Sequence, residues 1–174
     1  MNTANKLTLL RIVLIPIFLI VLYIGFSGSQ YVALAIFIIA SITDFADGYI
    51  ARSRSQVTDF GKFMDPLADK VLVVAAMLWF SEIGMMPAWA VLIVIVREFA
   101  VTALRLVAVD KGRVIAAGKS GKVKTASTMA AIILMFLPIP QLLVYICIAV
   151  IVLTTVYSGI EYFVKNKDSL NWTK

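Results

Sequence analysis

No histidine occurs in this 174-residue chain, and cysteine occurs once, at Cys147. The first absence removes imidazole acid–base chemistry and a histidine-ligated zinc site. The second excludes a disulfide within the chain, so cysteine usage carries no information about its redox compartment. Charge is scarce too: Asp, Glu, Lys and Arg make up 15% of the residues, against about 25% in a typical soluble chain. No internal repeat, low-complexity run or flexible linker stands out, and residues 1–174 read as a single domain. What is abundant is apolar: 61% of the residues are hydrophobic and the mean hydropathy is +0.96. The chain therefore belongs with membrane proteins rather than soluble ones.

Six segments are long enough to cross a bilayer as helices, near 7–26, 30–52, 63–83, 87–109, 120–137 and 141–164. Ser27-Gly28-Ser29, Ile83-Gly84-Met85-Met86-Pro87 and Pro138-Ile139-Pro140 supply turn chemistry between them. Lys6 and Arg11 ahead of an apolar run resemble a signal peptide, but a second spanning segment follows at once, which suits a retained first helix. Pro16 reads as a tolerated kink, and Trp79, Trp89 and Trp172 as interfacial anchors. Lys and Arg concentrate near the N-terminus, in 52–62, in 105–124 and in the C-terminal tail, whereas the opposite connectors carry only Glu82. By the positive-inside rule both termini are cytoplasmic. The expected fold is all-α: a polytopic membrane protein, a six-transmembrane-helix bundle with a cytoplasm-facing active site. The net charge of +6 reads as this topological bias, then as attraction to anionic membrane lipids. No soluble basic fold is available for nucleic acid.

Against that background four aspartates stand out: Asp44, Asp47, Asp65 and Asp69, at the ends of the second and third segments. A centrally placed Asp costs roughly 2.5–3.5 kcal/mol on insertion scales, so a cluster of them implies a positive ligand. Asp44, Asp47, Gly48 and Ala51 stand at i, i+3, i+4 and i+7, and so share a helix face; Asp65 and Asp69 share another. Pro66 suits the first turn of the third helix. Asp65 near a helix start would satisfy the macrodipole, but Asp44 and Asp47 near a helix end would oppose it, so capping does not account for the set. Carboxylates alone select hard divalent cations, Mg²⁺ or Mn²⁺ among them, and two ions would neutralise four converging acids. Gly48 and Ala51 leave room on that face, Arg52 offers a planar fork to a phosphate, and Gly61 permits backbone geometry that larger residues resist.

A second polar region runs from Arg97 to Thr125. Arg97 lies about ten residues beyond Pro87, at membrane depth, and needs a partner or a polar cavity. Glu98 is its neighbour in sequence, a spacing at which two helical side chains do not face each other, so it is not the expected partner. Arg105 lies eight residues on, on a nearby face. Gly118-Lys119-Ser120-Gly121-Lys122-Val123-Lys124-Thr125 opens the fifth segment, and glycines beside a helix start with several lysines make a phosphate site. The candidates for binding phosphate are Arg97, Arg105, Lys122 and Lys124, with Lys119 beside them.

Asp44-x-x-Asp47-Gly48-x-x-Ala51-Arg52, eight residues, then Gly61-x-x-x-Asp65-x-x-x-Asp69 resembles the signature of the CDP-alcohol phosphotransferase family at every fixed position. The resemblance implies transfer of a substituted phosphate from a CDP-linked donor to an alcohol, with release of CMP. It implies that Asp44, Asp47 and Asp65 hold the metals and that Asp69 is a ligand or the general base. Gly48, Ala51, Arg52 and Gly61 would line the CDP pocket, joined by Asn5 and Thr8 from the first helix. It also points to a homodimer in a bacterial-type cytoplasmic membrane. The stretch from Arg97 to Arg105, Gly121-Lys122-Val123-Lys124-Thr125 and Ser158-Gly159-Ile160-Glu161-Tyr162-Phe163 are similar to the phosphatidylglycerophosphate-forming branch. There the donor is CDP-diacylglycerol and the acceptor sn-glycerol 3-phosphate, an anion suited to a basic pocket. Sister branches use serine, inositol phosphate or phosphatidylglycerol. A divalent-cation transporter would also place acids in a membrane, but no chain of carboxylates crosses this one.

Overall fold

A computed structural model describes residues 3–53, 59–110, 112, 115 and 118–167; at 3–7, 44–53, 59–69 and 110 it describes the backbone only. Six helices follow one another: α1 Thr3–Ile24, α2 Ser29–Ser53, α3 Asp59–Glu82, α4 Ala88–Asp110, α5 Lys119–Met135 and α6 Gln141–Lys165. No strand occurs among the described residues. The helices coincide with the six predicted segments to within a few residues. The largest differences are at two starts, α1 beginning at Thr3 rather than at 7 and α3 at Asp59 rather than at 63. Hydropathy marks where a helix turns apolar, while the hydrogen-bonded ladder needs no apolar residue to begin. Pro66 is therefore the eighth residue of α3, not part of its first turn, and Asp65 is the seventh. Helix α1 continues through Pro16.

The breaks between helices have local causes. Gly25 and Gly28, at φ 66° and 86°, turn the chain between α1 and α2, and Gly84, at φ 76°, follows α3. These are left-handed conformations that side chains with a Cβ resist. Pro140, at φ −64°, precedes α6. Trp79 and Trp89 fall near the end of α3 and the start of α4; Trp172 lies outside the described residues.

The chain divides into two compact units, Met1–Ala76 and Met77–Lys174. In the first, α1 packs on α2. The buried residues of α1 are Thr8, Arg11, Ile15, Phe18 and Leu22, in alternating steps of three and four; those of α2 are Ala33, Phe37 and Ala40. Such steps make one helical face. The Phe18 and Phe37 rings meet at 6.2 Å.

In the second unit, α6 packs against both α4 and α5. Its buried stripe includes Val144, Ile148, Ile151, Thr155, Ser158 and Tyr162. Helix α5 answers with Lys124, Thr128, Ala131, Ile132 and Met135. Phe80 and Phe136 close one end, with ring centroids 4.7 Å apart. The outer faces are apolar: Leu142, Leu153, Ile160 and Val164 of α6 and Phe99 of α4 are exposed. Among the described residues, α6 is the one helix long and apolar enough to cross a membrane by length and composition alone. Three charges within Ala88–Arg105 (Arg97, Glu98 and Arg105) set α4 apart from it.

Candidate active site

Helix α2 carries Asp44 and Asp47, and α3 carries Asp65 and Asp69. The register of each helix places these positions on its buried stripe. Stepping on from Ala33, Phe37 and Ala40 by four and then three reaches 44 and 47. Stepping back from buried Ala76 and Leu72 by three and then four reaches 69 and 65. The Phe18–Phe37 contact also sets the antiparallel level of α1 against α2. At equal rise per residue, position 11 stands level with 44, and position 8 with 47. The side chains of the four aspartates, and of Asn5, Gly48, Ala51, Arg52 and Gly61, lie outside the described ones.

Four carboxylate positions in line with the buried stripes of two helices could offer only oxygen donors. That chemistry fits a hard divalent cation, and without positive charge such acids repel. On α1, Thr8 is 1% exposed and Arg11 wholly buried. Arg11 was not among the predicted site residues. Its signal was present, however, in the 8, 11, 15, 18, 22 spacing, which puts it on the packing face of α1 rather than on a solvated one.

The predicted phosphate-binding cations, all in the second unit, separate into three environments. Arg97 and Lys124 come together through one carboxylate. Glu98 Oε1 accepts from Arg97 Nη1 at 2.9 Å and from Lys124 Nζ at 2.6 Å. This corrects the expectation that Glu98 faces away from Arg97. Adjacent Cβ atoms do diverge, but both side chains are long enough to close the angle at their tips. Lys124 is buried, and its carboxylate partner offsets the cost of holding an ammonium there. Arg105 instead donates from Nε to the Tyr162 hydroxyl at 2.9 Å, with its Cζ 5.4 Å from the ring centroid. Eight residues of helix separate it from Arg97, about 12 Å along the axis. Lys119 and Lys122 are exposed.

Two glycines shape the surroundings of Arg97. A Cβ on Gly159 would stand 3.2 Å from Arg97 Cγ, and one on Gly121 would stand 3.7 Å from Nη2. The arginine stem lines an open groove of about 580 Å³ whose other walls include Leu92, Val96, Ile160 and Phe163. The guanidinium reaches out of this apolar groove toward α5, so its stem is in apolar contact and its head among polar groups. Glu98 and Tyr162 were both missed as partners. The packing of α4 and α5 onto α6 brings Glu98 to Lys124 and Tyr162 to Arg105.

Acids at matching register positions on two helices, and a pair of cations bridged by a carboxylate elsewhere on the chain, are residue types that metal-assisted transfer of a phosphorylated group uses. Residues 1–157 match the CDP-alcohol phosphatidyltransferase family, and the chain belongs to it. It is therefore a transferase, of a family that is membrane-associated and generally uses divalent metal ions. It is 46% identical, over 97% of each chain, to the CDP-diacylglycerol–glycerol-3-phosphate 3-phosphatidyltransferase of Bacillus subtilis (strain 168). It is 41% identical to a probable phosphatidylglycerophosphate synthase of Mycobacterium tuberculosis (strain H37Rv), over 92% of this chain and 79% of that one. The CDP-diacylglycerol–glycerol-3-phosphate 3-phosphatidyltransferase of Escherichia coli (strain K12) is 40% identical over 75% of this chain and 74% of its own.

Proposed function

We propose that this chain transfers the phosphatidyl group of CDP-diacylglycerol to sn-glycerol 3-phosphate, giving phosphatidylglycerophosphate and CMP. The observation that carries the reading is 46% identity along nearly the whole length of a relative named for that donor and acceptor. The family match runs through both units, which supports one functional domain over 1–174.

In the first unit, Asp44, Asp47, Asp65 and Asp69 would hold the metal, two ions of Mg²⁺ or Mn²⁺. Bound there, the ions would neutralise the donor's diphosphate and the charge that builds on it during transfer. Gly48, Ala51, Arg52 and Gly61, with Asn5 and Thr8, bind the CDP part of the donor. The acceptor's hydroxyl oxygen forms a bond to the phosphatidyl phosphorus, and the bond from that phosphorus to the CMP oxygen breaks. Asp69 takes the hydroxyl's proton, since the chain has no histidine to do so. In the second unit, Arg97 and Lys124 bind the acceptor's own phosphate, with Arg105, Lys119 and Lys122 adding positive charge along its approach. The exposed apolar faces and the positive-inside distribution support six membrane spans, with both termini and the chemistry on the cytoplasmic side. Small residues at helix contacts suit a homodimer.

Purified protein in mixed micelles with CDP-diacylglycerol and Mg²⁺ or Mn²⁺ is expected to release CMP when glycerol 3-phosphate is added. Serine, inositol phosphate and phosphatidylglycerol should give none. Release with one of those, and not with glycerol 3-phosphate, would reassign the acceptor. Metal flux into liposomes without CMP release would reject the enzyme reading altogether.

A further inference from the structure

Glu98 touches two of the cations assigned to the acceptor, and it does so with one oxygen. We propose that Glu98 is a positioning residue: it grips Arg97 by Nη1 and Lys124 by Nζ, and so presents the opposite edge of the Arg97 guanidinium, Nε and Nη2, as a two-pronged donor for the acceptor's phosphate in the space beside Gly121. The inference rests on the reading of Arg97 and Lys124 as the acceptor-phosphate site.

Four observations converge on it. A guanidinium carries its N–H groups in a rigid plane, so fixing one nitrogen fixes the direction of the rest. Nη1 is the nitrogen held by Glu98, while Nε is buried and has no hydrogen-bond partner among the described residues. A buried donor left unpaired is costly, which marks the Nε–Nη2 edge as the place where an outside acceptor atom is missing. Gly159 of α6 stands against the stem, where a Cβ would come within 3.2 Å of Arg97 Cγ. At the tip of the fork, Gly121 contributes no side chain, and a Cβ there would stand 3.7 Å from Nη2. A phosphate offers two oxygens at the spacing such a fork accepts. Glu98 also sets a negative charge between Arg97 and Lys124, two cations that would otherwise repel in a largely buried place.

The test is steady-state kinetics on the full chain in micelles, varying each substrate at saturation of the other, with thermal unfolding as the control for folding. Glu98→Ala should raise the KM for glycerol 3-phosphate about ten-fold or more while the KM for CDP-diacylglycerol stays within about two-fold, the split expected when one substrate's orienting contact is lost. Glu98→Gln, which keeps an oxygen but no charge, should fall between. Gly121→Ala alters no charged group, and its methyl makes an ordinary contact at 3.7 Å, so the protein should fold. It should nonetheless raise the acceptor KM several-fold by filling the space before the fork. A folded Glu98→Ala or Glu98→Gln protein whose two KM values change together, or whose acceptor KM is unchanged, overturns the inference. If Glu98→Ala does not fold, Glu98→Gln and Gly121→Ala decide. Arg97→Ala and Lys124→Ala separate the two levels of argument. An unchanged acceptor KM in both removes the acceptor site itself. A raised KM in both, with Glu98 and Gly121 variants unaffected, removes only the positioning role.

Discussion

Arg105 meets Tyr162 twice: its Nε donates to the phenol oxygen at 2.9 Å, and its guanidinium carbon lies 5.4 Å from the ring centroid. The two residues are 57 positions apart and join α4 to α6. Tyr162 is 6% exposed and packs with Val101 and Leu104, so the exposed arginine is held from a buried platform. Tyr162→Phe keeps the ring and deletes the hydrogen bond. It should cost about 0.5–1.5 kcal/mol of stability, read from thermal unfolding in detergent, and raise the acceptor KM a few-fold. A donor KM that rises equally would assign Arg105 a general structural role.

Asp69→Asn removes the proposed proton acceptor and leaves the other three carboxylates in place. Turnover should drop by about 10²–10⁴, the range for loss of a general base. Metal binding, followed by Mn²⁺ titration with electron paramagnetic resonance, should survive in part. An unchanged rate would take Asp69 out of the base role.

Chelation tests the carboxylate set as a whole. EDTA should bring CMP release to background, and excess Mg²⁺ or Mn²⁺ should restore it, because an all-oxygen site favours hard cations. Full activity in chelator would contradict the metal assignment of Asp44, Asp47, Asp65 and Asp69.

Arg11 lies wholly buried on the packing face of α1, level with position 44 of α2. Arg11→Ala empties a large buried volume and should destabilise by about 2–5 kcal/mol, the range for large-to-small core changes. Arg11→Met fills most of that volume without the charge. If the charge matters to the acid-bearing end of α2, the Met variant should unfold near the native temperature yet show weakened Mn²⁺ binding. Native metal affinity in Arg11→Met would make Arg11 a packing residue only.

Gly159→Ala addresses the close approach of α6 to the Arg97 stem. The new Cβ at 3.2 Å from Cγ forces the side chain to give by a few tenths of an ångström. Because a flexible stem can yield, the protein should fold, with an acceptor KM raised a few-fold and a donor KM unchanged. No effect on either would show that Arg97 has slack the structure does not suggest.

Much of this molecule could be read from the chain alone. The six apolar segments anticipated all six helices, because each helix closes its own backbone hydrogen bonds within four residues and needs no distant partner. The acid positions were legible for the same reason: spacings of three and four define a face wherever the backbone is helical. The start of α3 was misjudged, since Asp59, Gly61 and Lys62 are helical without being apolar. Glu98 was dismissed on the same local rule that served elsewhere. The rule describes Cβ directions, and two long side chains reached past it.

Sequence by itself determined the helices, their polar interruptions and the common face of each aspartate pair, all consequences of short-range geometry. Tertiary structure alone decided which charges meet. Lys124 finds Glu98 across 26 positions and Arg105 finds Tyr162 across 57, because α6 gathers α4 and α5 against itself. Burial then makes the meeting of Lys124 with Glu98 obligatory, since a charge withdrawn from water must find its counterpart within reach of its own side chain.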